Sequence, residues 1–226
     1  MKKFITVIPF QVKGQLGSYL YRAVGNGRLQ MEEKTSFPIL TAVSGYLQPG
    51  EQSQVIALTA ETEDGKRNLQ TLRDQLEALC AKRGCAVPEI VEVALREGDE
   101  VATHVDTFQK LIDRVDDDDE LFACVTYGTK PLSQVVLMAV QYAYRIKKNT
   151  SISCVVYGSI DRSQSSNPSE WTGTIYDETA LVQLDEIVRV LADRLPIREN
   201  GRLAGAVAIF RNRTEVARLA DDLTGV

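Results

Sequence analysis

Five short apolar runs, Phe4 to Ile8, Val55 to Leu58, Ile90 to Leu95, Leu121 to Val125 and Ile152 to Tyr157, are rich in β-branched residues and nearly continuous rather than alternating. A strand that is apolar at successive positions buries both of its faces, which is the pattern of a parallel sheet covered by helices on each side. The segments between the runs supply those helices. Leu69, Leu72, Leu76 and Leu79 recur at helical spacing with Gly84 as a stop, and Val101, Val105, Phe108, Leu111, Ile112 and Val115 repeat the pattern. Leu132 to Tyr144 is apolar almost all round, so that helix is expected to be the most buried. The rhythm predicts an α/β fold: a Rossmann-like, doubly wound, mostly parallel sheet with right-handed crossovers and a small C-terminal helical extension.

A chain of 226 residues can bury a sizeable core. Its character changes after Asp161, which places a boundary there: a domain over 1–161 and an extension over 162–226. In the extension, Ser163 to Ser169 is a polar connector, Trp171 to Tyr176 reads as a strand, and Leu181, Leu184, Val188, Leu191 and Leu195 mark an amphipathic helix. A last helical segment includes Val216, Leu219 and Leu223. With no lysine and slightly more acid than base, the extension reads as an element packed on the domain or at a dimer interface. The connection from Gln11 to Ser53 is the long one, with one helix near Ile39 to Leu47. Its Tyr19, Tyr21, Arg22, Gly25, Asn26, Gly27 and Arg28 are candidates for a lid, a binding loop or an interface.

Composition excludes several classes. With 44% hydrophobic and 25% charged residues the chain is globular rather than disordered. The start, MKKFITVIPF, has too short an apolar part and no small-residue cleavage site, so it reads as a first strand rather than a signal peptide. No run reaches the roughly 20 apolar residues of a membrane span, and a cytoplasmic location is expected. A net charge of -5 argues against duplex nucleic-acid binding driven by phosphate neutralisation, though not against a local basic pocket for a small anion. Cys80, Cys85, Cys124 and Cys154 lack metal-site spacing, and with His104 as the single histidine a zinc site or histidine triad has little to draw on. No metal and no cofactor is expected. Asp116 to Asp119 with Glu120 reads as a solvated turn, a weak magnesium site being the alternative, and His104, Asp106 and Thr107 read as the start of a helix, a place at a pocket mouth being the alternative.

In a doubly wound sheet the ligand lies beyond the carboxyl ends of the strands, where the strand order reverses. The stretch Thr126-Tyr127-Gly128-Thr129-Lys130-Pro131 stands at such an end. Glycine lets a backbone approach a ligand, a helix start offers amides to an anion, and Lys130 adds a positive charge. These features suit a phosphate-bearing ligand; a tight strand-to-helix turn capped by Thr129 is the alternative. The stretch is not a Walker loop, and no G-x-G-x-x-G follows the first strand, which disfavours NAD. Gln11 and Lys13 after the first strand, and Gly158 and Ser159 after the fifth, are expected at the same end.

This stretch, together with Gly25-Asn26-Gly27 and Thr35-Ser36-Phe37, resembles the CRISPR-associated Rossmann fold, or CARF, family over residues 1–161. The resemblance implies a homodimer that senses cyclic oligoadenylate across its two-fold axis. It implies Lys130 beside the phosphates, Gly128 and Thr129 as amide and hydroxyl donors, Thr126 and Tyr127 flanking them, and Gln11 and Lys13 as the opposite wall. A HEPN ribonuclease effector is absent, because Asp99 stands where its R-x-x-x-x-H motif needs arginine before His104. Glu32-Glu33-Lys34 fits E-x-K without an acidic partner, and the extension lacks a basic recognition helix. The expectation is therefore a stand-alone sensor or a metal-independent ring nuclease in which Lys130 and Thr129 carry the chemistry. A nucleotide-dependent small-molecule enzyme on a Rossmann-like sheet is the reading from a different class.

Overall fold

The computed structural model describes residues 1–194 except 97, 99, 164–166 and 168–169. In chain order the elements are β1 (Lys2–Val7), β2 (Tyr21–Val24), a single 3-10 turn (Gly27–Leu29), α1 (Ile39–Tyr46), β3 (Ser53–Ala60), α2 (Glu63–Arg83), β4 (Glu89–Leu95), α3 (Val101–Ile112), β5 (Glu120–Cys124), α4 (Lys130–Ile146), β6 (Ser151–Asp161), β7 (Thr172–Asp177) and α5 (Thr179–Arg194). The seven strands form one sheet in the order β2-β7-β6-β5-β1-β3-β4. Every pairing is parallel except the antiparallel β6–β7 hairpin. This is the predicted doubly wound α/β architecture.

The near-continuous apolar strands reflect helices on both faces. Phe4, Val55, Ala57, Phe122, Cys124, Cys154 and Val156 share a core with Ile39, Leu40 and Val43 of α1 and the four leucines of α2. Phe4 and Phe122, paired in neighbouring strands, stack at 4.6 Å between ring centres. The alternate residues Ile5, Val7, Ile56, Leu58, Leu121, Ala123 and Val155 are also buried, and on that side α3 and α4 pack against the sheet and each other. Local signals set the helix ends: Thr62 accepts a hydrogen bond from the Gly65 amide at 3.0 Å, Glu63 and Asp64 occupy the first turn of α2, and Lys82 and Arg83 its last. Burying each of its leucines contributes about 1.5–3 kcal/mol.

Four expectations are corrected. The long first connection contains β2, an edge strand whose partner β7 lies far along the chain. β6 runs on through Asp161, because β7 pairs with Val156 to Asp161, so Gly158 and Ser159 lie within a strand rather than in a loop after it. β7 therefore belongs to the main sheet, and the compact unit spans Met1–Asp177 rather than ending at 161; the second unit is Glu178–Val226. Its described part is α5, which contains the predicted Leu181, Leu184 and Val188 positions. Leu195 and the Val216 to Leu223 segment lie outside the described residues. Finally, α4 is not the most buried helix: Met138, Tyr142, Tyr144 and Ile146 are exposed.

The acidic run is structural at its end. Asp116 is exposed, but Asp119 is 2% exposed and lies 3.7 Å from the equally buried Lys3 ammonium. Asp119 also accepts the Asp116 amide at 2.8 Å, and Lys3 donates to Gln54 Oε1 at 3.0 Å. Asp117 and Asp118 hold the turn after α4 through the Lys148 amide and the Asn149 side chain. Removing one member of a buried pair leaves the other uncompensated. Asp119→Ala is expected to cost about 3 kcal/mol in urea unfolding, whereas Asp116→Ala should cost under about 1 kcal/mol.

Candidate functional site

β1 sits between β3 and β5. Apart from the excursion to β2, the connection after β1 returns to β3 and the one after β5 goes to β6, so the crossovers diverge and open the crevice of a topological switch point between the two carboxyl ends. Ile8 to Gln11 comes after β1 there, and Val125 to Thr129 after β5.

The turn after β5 has firm local causes. Gly128 has φ of +97°, a left-handed value that favours glycine. A Cβ at this position would meet Leu132 Cδ2 at 3.0 Å and Val7 Cγ1 at 3.2 Å. Thr129 is the N-cap of α4, its hydroxyl accepting from the Leu132 amide at 3.4 Å. Lys130 is the first helical residue and exposed, and among the described residues it forms no salt bridge. Pro131 in the first turn removes one amide that an anion would otherwise meet. The capped strand-to-helix turn is thus present, and it presents the Lys130 ammonium to solvent at the switch point.

The other expected site residues divide. Thr126 accepts the Gly158 amide at 2.7 Å, and Tyr127 donates its hydroxyl to the Ser36 carbonyl at 2.7 Å. Burial pushes the Tyr127 phenol well above its ordinary value, so it remains a neutral donor. Gly158 is buried, and a Cβ there would meet Pro38 at 2.7 Å and the ring of Tyr21 at 3.1 Å. These three residues come together, and their polar groups tie the segment around Ser36 and Pro38 to the sheet. Ser159, one position on in β6, is half-buried opposite Thr174 on the other face. Gln11 is half-buried, with its carbonyl held by Asn68 Nδ2 at 2.9 Å, and Lys13 is exposed on the next loop.

The candidate residues of the long connection do not gather at one end of the sheet. Tyr21 is fully buried in β2, and Asn26 donates to Asp177 at 2.6 Å and to the Tyr46 hydroxyl at 2.8 Å. The Tyr46 carbonyl accepts from Lys2 at the amino end of β1. Gly25 to Arg28 therefore lies at the end of the sheet opposite the switch point. Only the parts near Tyr19 and Thr35, joined by a pair of backbone hydrogen bonds, stay at the carboxyl end. Glu33 of the E-x-K stretch pairs with Lys82 at 2.9 Å.

A cleft of about 470 Å³ opens at the carboxyl ends of β1, β3 and β4. Thr129 forms part of its wall together with Phe10, Glu61, Thr62, Arg96, Thr103 and His104. The N-terminal turns of α2, α3 and α4 all reach it, and Glu100, the residue before α3, makes no side-chain cap there. His104 thus reaches the pocket mouth, but Asp106 does not cap the helix: it forms an ion pair with Lys110 at 2.8 Å, and Lys110 holds its carboxyl below the usual range. Phe10, Thr62 and Arg96 carried no sequence signal, since nothing local shows that three strand ends meet. The four cysteines are free; burial pushes Cys80 up to about 11 and raises Cys124, leaving both as protonated small hydrophobes. Among the described residues no group of three His, Cys, Asp or Glu could hold a metal ion, and no helix is long and apolar enough to cross a membrane.

No family model matches the chain. A protein of Halalkalibacterium halodurans described as a probable C4-dicarboxylate sensor kinase is 49% identical over 37 residues. That stretch is 16% of this chain and 7% of the other protein, too short to show a family.

The turn's own chemistry is testable by unfolding. Gly128→Ala should lower stability by about 2 kcal/mol through backbone strain and crowding, and Thr129→Ala by about 1 kcal/mol through loss of the cap. Urea midpoints equal to wild type for both would show that the turn does not depend on them.

Proposed function

We propose that the protein is a CARF-like, CRISPR-associated sensor that acts in the cytoplasm as a homodimer and binds cyclic oligoadenylate on its Gly128–Lys130 turn. One observation carries the reading: a glycine turn with an exposed lysine at a helix start stands at the switch point of a doubly wound sheet, beside an open cleft. Lys130 meets phosphate oxygens, while Gly128 and Thr129 let the backbone come close. Tyr127 and Thr126 hold the turn in place through Ser36 and Gly158. Gln11 and Lys13 border the crevice from the loop after β1.

The homodimer draws support from α4. Its 17 residues carry charge only at Lys130 and Arg145, yet Met138 and Tyr142 face solvent, with Val101 and Val105 of α3 exposed as well. Phe108 and Tyr142 meet edge to face at 5.6 Å across the two helices. A second copy covering this apolar face would bring a second turn toward the same ligand. Met138→Asp is expected to shift the protein to monomer in sedimentation equilibrium and to weaken ring binding; a stable dimer in that variant would take this face out of the interface.

One binding site serves two outputs. A sensor passes a change of shape to a partner because the ligand favours one arrangement. A ring nuclease ends the signal: a ribose 2′-oxygen attacks the adjacent phosphorus in line, the bond to the 5′-oxygen breaks, and a 2′,3′-cyclic phosphate end forms as the 2′-proton is lost and the leaving oxygen gains one. Positioning and charge stabilisation by Lys130 and Thr129 serve that step.

The test is incubation with cyclic tri-, tetra- and hexa-adenylate without added metal, with binding measured by calorimetry and products by chromatography. Binding of a ring intact makes the protein a sensor, and cyclic-phosphate-ended products make it a nuclease. Lys130→Ala should weaken binding at least about tenfold, the worth of one charge-assisted contact. Binding of none of the rings would overturn the reading, and binding of mononucleotides alone would favour a nucleotide-dependent small-molecule enzyme.

A further inference from the structure

We infer that the cleft at the carboxyl ends of β1, β3 and β4 is a nucleoside site in which a base stacks on Phe10. The inference rests on the proposed cyclic oligoadenylate function, since it puts the phosphate of the same nucleotide on the Gly128–Lys130 turn.

Phe10 is the first ground. Phe4, Phe37 and Phe122 are fully buried in the core, whereas Phe10 stands in the cleft wall 45% exposed. An aromatic ring open to a concave site offers a stacking face that any base can use. Ala60, Leu95 and Leu132 add apolar wall around it, which suits the flat, weakly polar body of a base.

Charge decides between a nucleoside and a free anion. Arg96 and Glu61 both line the cleft, so its interior is not a field of one sign, and a phosphate inside would meet the Glu61 carboxylate. The exposed cation on the turn is Lys130, which lies next to Thr129 in the chain and outside the cleft wall. A nucleotide therefore divides, with base and sugar in the cleft and phosphate on the turn. Polar partners for the sugar and the base edge are at hand. Thr62 uses its oxygen as an acceptor from Gly65 and keeps its hydroxyl proton to donate. Arg96 is 68% exposed and 3.6 Å from Asp106, whose nearer partner is Lys110, so its guanidinium is loosely held. The volume of about 470 Å³ is at the small end of the range for small-molecule sites, which fits one nucleotide unit rather than several.

The test separates cleft from turn with two probes, adenosine and adenosine 5′-monophosphate, titrated into the full chain and monitored by ligand-observed NMR. Adenosine reads the cleft alone. Its binding should fall at least about tenfold in Phe10→Ala, persist within about twofold in Phe10→Trp, and be unchanged in Lys130→Ala. The monophosphate should lose affinity in both Phe10→Ala and Lys130→Ala. Melting curves of the variants should match wild type, because Phe10 is exposed. No adenosine binding, or adenosine binding indifferent to Phe10→Ala, overturns the nucleoside site. Adenosine binding that depends on Phe10, with Lys130→Ala silent toward the monophosphate and toward cyclic tetra-adenylate, keeps the cleft and overturns the phosphate cradle instead.

Discussion

A parallel sheet that is apolar on both faces must be covered on both sides, and this requirement determines the placement of the helices, the winding of the chain and the position of the crevice. α1 and α2 lie with one set of alternating strand residues and α3 and α4 with the other. To cover both faces the chain must wind outward from β1 in two directions, first through β3 and β4, then back to β5 and β6. The crevice between the carboxyl ends of β1 and β5 is a consequence of that reversal rather than a separate invention. Gly128 is a consequence too, since the chain must turn sharply against Val7 of the neighbouring strand to enter α4.

The long connection after β1 extends the sheet rather than closing over the crevice. Its strand β2 lies against β7, its buried Tyr21 fills the space beside Gly158, and its Asn26 is anchored near the amino end of β1. Tyr127 joins the two systems, because it precedes the glycine of the turn and bonds the carbonyl of Ser36 in the connection. Ser36 and Thr35 are bonded in turn to Gln75 of α2. The Gly128–Lys130 turn is thus braced from behind by partly buried hydrogen bonds, which limits how far a bound anion can displace it.

What was legible in the sequence was local. The five β-branched runs and the Trp171 to Tyr176 stretch marked six of the seven strands, and the leucine spacing of α2 and the Gly-Thr-Lys-Pro start of α4 needed only their neighbours to be read. β2 escaped because its four residues carry too short a pattern, and the strand that stabilises it is β7. The boundary after Asp161 reflected a real change of character, but antiparallel pairing with β7 carries the sheet across it. Thr126, Tyr127 and Gly158 stand near the turn, yet adjacency in sequence does not reveal that they face the long connection. Phe10 and Arg96 reach the cleft from two different strand ends, a convergence visible only once the strands are paired. Asp119 looks like its three acidic neighbours in sequence and differs by its burial, against the Met1 ammonium at 2.9 Å and the buried Lys3 at 3.7 Å.

The central claim is that a nucleotide ligand sits at the switch point between β1 and β5. Backbone amide NMR with increasing cyclic tetra-adenylate tests it most directly. The account predicts that the largest shifts fall on Gly128, Thr129 and Lys130 and on the strand ends around Phe10 and Arg96, with Asn26 and Asp119 at the opposite end unmoved. Spectra unchanged at saturating ligand, or shifts centred on the amino end of the sheet, would contradict it.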